Sequence, residues 1–117
     1  MTIPVDAYVA FDLDGTTAYY DGWKGSAHIG EPVPKIVAMI KDYLAKGKTV
    51  KIFTARVAED DDLTVEQKIK IIQDWTQKHI GQRLPVTCIK DQKMELLYDD
   101  KAIRVVLNAN QRLLGVN

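Results

Sequence analysis

A chain of 117 residues, 46% of them hydrophobic, is the size of one domain around one core, and its sixteen basic and sixteen acidic residues cancel. That balance argues against a protein whose main task is gripping long nucleic acid by its phosphates, so no extended nucleic-acid groove is expected. The single cysteine, Cys88, cannot build a disulfide framework or a cysteine-rich zinc site. Met1–Asp6 shows no leader pattern, and no run nears the roughly 18 apolar residues of a membrane span, so a soluble, cytoplasmic protein is expected.

Ala7–Phe11 is apolar without alternation, the pattern of a central parallel strand covered on both faces. It ends in Asp12-Leu13-Asp14-Gly15-Thr16-Thr17. Side chains at i and i+2 of an extended backbone share a face, so Asp12 and Asp14 project into the same space if the strand persists, and Gly15 lets the chain turn. Residues 16–31 carry Gly22, Gly25 and Gly30 with Tyr19, Tyr20 and Trp23 between them, which predicts a loop or small hairpin flap over the carboxylates.

Pro32 and Pro34 suit a helix start, and Ile36, Val37, Ile40 and Leu44 recur at helical spacing until Gly47. Thr49–Phe53 is a second parallel strand, delivering Thr54 and Arg56 to the sheet edge that holds Asp12. The acidic run Glu59–Asp62 reads as a solvated loop whose charge favours the following helix start. Thr64-Val65-Glu66-Gln67 is a capping box, and Val65, Ile69, Ile72 and Trp75 mark the apolar face of a second crossover helix ending at Gly81. Trp75 and Cys88 read as core residues, and His28 and His79 have no partner at ligand or triad spacing.

Pro85–Ile89 and Met94–Tyr98 are the third and fourth strands, joined by Lys90-Asp91-Gln92-Lys93 and followed by Asp99-Asp100. A parallel connection normally needs a dozen or more residues. Either the third strand is very short and the linker doubles back, or it pairs antiparallel. Ile103–Leu107 reads as a short fifth strand, with a helix from Asp100 as the competing reading, and Asn108–Asn117 as a polar tail anchored by Leu113 and Leu114.

Collected by strand end, the polar residues are Asp12 and Asp14, Thr54 with Arg56, Lys90 or Lys93, and Asp99 with Asp100. Carboxylates gathered in one place repel unless a hard cation compensates them, and oxygen ligands of this kind favour Mg2+, which retains waters and a substrate phosphate. Asp12 can then attack phosphorus, Asp14 can protonate the leaving oxygen and activate water, and Thr54 and a lysine can bind the transferring oxygens. Arg56 either binds substrate phosphate or pairs with the acidic loop.

Phe11-Asp12-Leu13-Asp14-Gly15-Thr16 resembles the first motif of the haloacid dehalogenase-like (HAD) superfamily, and Thr54, Lys90 and Leu97-Tyr98-Asp99-Asp100 resemble its second, third and fourth motifs in order. The resemblance implies a single domain over 1–117 with a three-layer Rossmann-like α/β fold and a mainly parallel central sheet. It also implies Asp12 as nucleophile, Asp14 as acid/base that gives its main-chain carbonyl to Mg2+, and Asp99, Asp100 or both completing the metal site. Dehalogenating members lack the second aspartate, so its presence points to a phosphatase. Lys90 ends a strand and is the first choice for the third-motif lysine, with Lys93 second; the four-residue linker holds no helix of the kind that normally carries it. Thr17 stands where an apolar residue is usual. Neither cap position holds an inserted domain. A capless site implies a large phosphorylated substrate, such as a protein or nucleic-acid end, or a neighbouring subunit that closes it in an oligomer. Phe53-Thr54-Ala55-Arg56 also resembles a stretch in the phosphatase domains of phage polynucleotide kinase-phosphatases. A phospho-accepting or phosphate-binding module, receiver-like or degenerate, is the competing functional class.

Overall fold

A computed structural model describes residues 6–59 and 61–108. Four parallel strands form one sheet in the order β3-β2-β1-β4: β1 Tyr8–Asp12, β2 Thr49–Phe53, β3 Val86–Thr87 and β4 Met94–Tyr98. The apolar, non-alternating β1 lies between β2 and β4, with Asp12 beside Phe53 and Phe11 beside both Ile52 and Tyr98. Helix α1, Pro34–Ala45, joins β1 to β2 and stops where Gly47 adopts a φ of +79°. Helix α2, Val65–His79, joins β2 to β3. The expected capping box opens it, with the Thr64 hydroxyl accepting from the Gln67 N–H and the Gln67 amide accepting from the Thr64 N–H.

Both helices pack on one face of the sheet. Val37 and Ile40 of α1 and Ile72 and Trp75 of α2 form a single buried cluster with Val9, Phe11, Val50 and Ile52. Side chains alternate along a strand, so Tyr8, Ala10 and Asp12 point to the other face. There Tyr8 is covered by the chain between β3 and β4: its hydroxyl donates to Asp91 Oδ1 at 3.0 Å, its N–H donates to the Lys93 carbonyl at 2.9 Å, and Lys51 Nζ sits 4.1 Å from the ring centre.

This crossing explains the connection that looked too short. β3 and β4 are parallel but occupy opposite edges, so the linker must cross three strand spacings, about 14 Å, while descending roughly a strand length. An extended chain of this length reaches that far without room for a helix. The third strand is correspondingly short. The Thr87 hydroxyl accepts from the Ile89 N–H at 3.1 Å and turns the chain out of the sheet two residues before the expected end, leaving Cys88 outside the strand but packed on the core.

Two other expectations change. Ile103–Leu107 forms neither a fifth strand nor a helix. Asp99 turns the chain, its side chain accepting from the Lys101 N–H at 3.0 Å and its carbonyl from the Ala102 N–H at 3.4 Å, and the residues beyond run exposed. Val65, at the first turn of α2, is 46% exposed and does not join the apolar face. Residues 109–117, with the anchors Leu113 and Leu114, lie outside the described residues, as do Met1–Val5 and Asp60 of the acidic run. Among the described residues no helix is long and apolar enough to cross a membrane.

Candidate functional site

The carboxyl ends of β1, β2 and β4 open into a cavity of about 530 Å3. It is lined by Asp12, Asp14, Thr54, Arg56, Asp99 and Asp100 among others. Parallel pairing puts all three strand ends at one edge of the sheet, which is why motifs distant in sequence meet there.

Asp12, Asp99 and Asp100 place carboxylate oxygens within 4.8 Å of one another. Burial, followed by the hydrogen bond to Asp100 and the charges of Asp99 and Asp100, pushes Asp12 up to about 7. Burial thus disfavours the charged form of Asp12, and the neighbouring acids add to that cost. Thr16 ties two of these acids together: its hydroxyl lies 3.3 Å from Asp12 Oδ2 and 3.2 Å from Asp100 Oδ1, and accepts from the Asp100 N–H at 3.0 Å. One proton serves either carboxylate. Gly15 is required by both conformation and space, since its φ is +89° and a Cβ there would stand 2.8 Å from Asp100 Oδ2.

Thr17 is fully buried, and its hydroxyl donates to the Asp12 carbonyl at 2.7 Å. A polar residue at this position is thus satisfied by the turn it stabilises.

Asp14 does not join the three-carboxylate cluster. Arg56 grips it in a fork, with Nε to Oδ2 at 2.7 Å and Nη2 to Oδ1 at 2.8 Å. The same guanidinium donates to the carbonyls of Ser26 and His28 at 3.2 and 2.8 Å and stacks on Trp23, 4.9 Å from the ring centre. Arg56 is therefore committed neither to the acidic loop nor to open cavity space. It fastens Asp14 to the flap. The flap itself stands over the carboxylates as expected, closed at its base by backbone bonds from Tyr19 to Glu31 and from Val33 to Thr17, both 2.8 Å.

Thr54 is buried at the end of β2, where its hydroxyl accepts from the Arg56 N–H at 3.2 Å and starts the 3-10 turn Ala55–Ala58. Accepting that bond leaves the hydroxyl proton for a ligand in the cavity.

Neither candidate lysine lines the cavity. Lys93 pairs with Asp6 at the opposite end of β1 from Asp12, and Lys90 is exposed on the linker. The lysine the cavity does contain is Lys101, directly after Asp99-Asp100. A second lysine was hidden in α2. Lys68 is 1% exposed, donates to the carbonyls of Arg56 and Glu59 at 3.0 and 2.8 Å, and pairs with Asp61. Its spacing, four residues before Ile72 and seven before Trp75, already put it on the buried face.

The acidic run is also more than a solvated loop. Ser26 donates to Asp62 from its hydroxyl at 2.6 Å and from its N–H at 3.2 Å, which holds Asp62 down at about 2. Trp75, in the core as expected, donates from its indole N–H to the Gly30 carbonyl at 3.1 Å. Both contacts clasp the flap to the region around α2.

Comparisons with protein families, with characterised proteins and with solved structures find no match for this chain.

Proposed function

We propose that this protein is a magnesium-dependent phosphohydrolase acting on a phosphate monoester through an aspartyl-phosphate intermediate, as a capless HAD-type protein whose described helices cover one face of the sheet. The observation that carries the reading is the meeting of Asp12, Asp99 and Asp100 within 4.8 Å in a cavity that also contains Asp14 and Thr54. The donor set fits the ion. All three groups are hard carboxylate oxygens, and the raised Asp12 marks charge that a divalent cation would compensate. Asp12, Asp99 and Asp100 would hold Mg2+, which when bound neutralises these acids and the substrate phosphate.

In the first half-reaction an Asp12 oxygen forms a bond to phosphorus as the ester P–O bond breaks, and the leaving oxygen takes a proton from Asp14. In the second, Asp14 takes a proton from water, the water oxygen bonds to phosphorus, and the bond to Asp12 breaks to release inorganic phosphate. The Arg56 fork leaves each Asp14 oxygen a lone pair for this traffic while fixing its orientation. Thr54 donates to the transferring oxygens, and Lys101 is the cation on hand to offset their charge. Lys90 and Lys93 would need the linker to move before either served.

Hydrolysis of para-nitrophenyl phosphate, with and without Mg2+, tests the proposal. Wild-type protein should turn over only with the metal, and Asp12→Asn should abolish turnover while the circular dichroism spectrum is unchanged. Turnover retained by that variant would sink the assignment.

The absence of Lys90 and Lys93 from the cavity favours one other reading, a phospho-accepting or degenerate module that binds phosphate without rapid turnover. Asp14 argues against it, because a simple acceptor has no use for a proton donor beside it. Tight beryllium fluoride binding without hydrolysis would support it.

A further inference from the structure

The cavity is lined by aromatic residues as well as by carboxylates. Tyr20 and Trp23 line it from the flap and Phe53 from the end of β2. Tyr20 and Trp23 remain 51% and 52% exposed, so packing alone does not account for them. Trp23 is nevertheless held. One face of its ring lies on Arg56, whose guanidinium is fixed by Asp14 and by the carbonyls of Ser26 and His28. Stacking on the ring therefore pays little ordering entropy, because its backing is already rigid.

Charge narrows the occupant further. Glu59 joins the three clustered acids around the cavity, while Asp61 is paired with Lys68 and Arg56 is spent on Asp14. Among the described lining residues, Lys101 is the one cation without a carboxylate partner. A strand with several phosphates would meet repulsion that a single metal-compensated phosphate avoids. A flat ring that is neutral or cationic meets none. A volume of about 530 Å3 lies within the roughly 300–1,000 Å3 typical of small-molecule sites.

We propose that the site takes a small phosphate monoester whose leaving group carries a planar aromatic ring, seated on Trp23 and Tyr20 while the phosphate lies at Asp12. A nucleoside monophosphate and O-phosphotyrosine are the two sources of that chemistry. The proposal rests on the phosphohydrolase reading for the placement of the phosphate. The aromatic seat has its own readout.

The decisive comparison is adenosine 5′-monophosphate against ribose 5-phosphate. Both are primary alkyl esters of the same charge and leaving-group chemistry, and they differ by the ring. A single base–aromatic stack predicts a kcat/KM about tenfold higher for the nucleotide. Trp23→Ala and Tyr20→Ala should bring that ratio toward one, and Trp23→Phe should largely restore it. O-phosphotyrosine against O-phosphoserine, compared by binding to avoid the difference in leaving groups, tests the second source. In parallel, the Asp12→Asn protein in Mg2+ is titrated with the same esters while tryptophan emission is followed with excitation near the red edge. The aromatic esters should quench it, ribose 5-phosphate should not, and Trp23→Phe should lose the response.

If these esters and para-nitrophenyl phosphate all resist hydrolysis, the phosphohydrolase reading fails and the quench alone decides the aromatic seat. Equal kcat/KM for nucleotide and ribose phosphate with no quench would overturn the seat and leave that reading intact. Preference for a 5′-phosphorylated oligonucleotide over the mononucleotide would also overturn it, by showing that the acidic rim does not repel extra phosphates.

Discussion

Asp12→Asn should make the metal-free protein more stable while removing its chemistry. Burial of Asp12, and after it the hydrogen bond to Asp100 and the charges of Asp99 and Asp100 beside it, raises the group from 3.8 to about 7. Between those values the folded state holds a proton that the unfolded state releases, so stability falls as pH rises through the window. The penalty is absent below 3.8 and complete above about 7. For a fully buried carboxylate a rise of this size corresponds to about 4 kcal/mol. Asp12 is only half-buried, and solvent screening reduces the expected figure to about 1–2 kcal/mol. The asparagine amide removes the charge and can donate to Asp99 or Asp100. At pH 8 in EDTA the variant should melt about 4–8 °C above wild type. At pH 4 the gap should close. Added Mg2+ should raise the wild-type midpoint by mass action and the variant's much less. A variant that melts at or below wild type at pH 8 without metal, or a gain equal at both pH values, would refute the picture of uncompensated charge.

Other outcomes follow from neighbouring contacts. Arg56→Ala leaves Asp14 without its fork and two flap carbonyls without a donor, and should cost about 3 kcal/mol in urea unfolding; Arg56→Lys should recover only part of it. Lys68→Met keeps the apolar stem but orphans the Arg56 and Glu59 carbonyls, so a loss of about 2–3 kcal/mol is expected by the same assay, with faster hydrogen exchange across the 3-10 turn. Thr17→Val should cost about 1 kcal/mol through the lost bond to the Asp12 carbonyl. Gly15→Ala meets both positive φ and Asp100, and should weaken Mg2+ binding in calorimetry by roughly tenfold, because the side chain it displaces is a proposed ligand.

Three strands and both helices were legible because their signals are local: β1, β2 and β4 show apolar runs, and α1 and α2 have a proline start, a capping box and glycine stops. Asp12, Asp14, Thr54, Asp99 and Asp100 could be gathered because parallel strands deliver their ends to one edge. The β3-to-β4 linker was not legible in the same way. Its path depends on which edge β4 joins, a choice made by Tyr8, Asp91 and Lys93 across the sheet. The lysines were misjudged for a related reason. Strand-end position favoured Lys90 and Lys93, whereas the crossing carries Lys93 away from the cavity and the turn at Asp99 brings Lys101 to it. Arg56 offered two obvious partners in sequence and took a third, because only folding brings Asp14 and the flap carbonyls around one guanidinium.

The central claim is that Asp12 becomes phosphorylated during turnover. Wild-type protein mixed with a phosphate monoester and Mg2+, quenched in acid within the first turnover and reduced with borohydride, should yield homoserine at position 12 in the peptide mass spectrum. Turnover with no modification at position 12, or homoserine at Asp14, Asp99 or Asp100 in its place, would contradict the account.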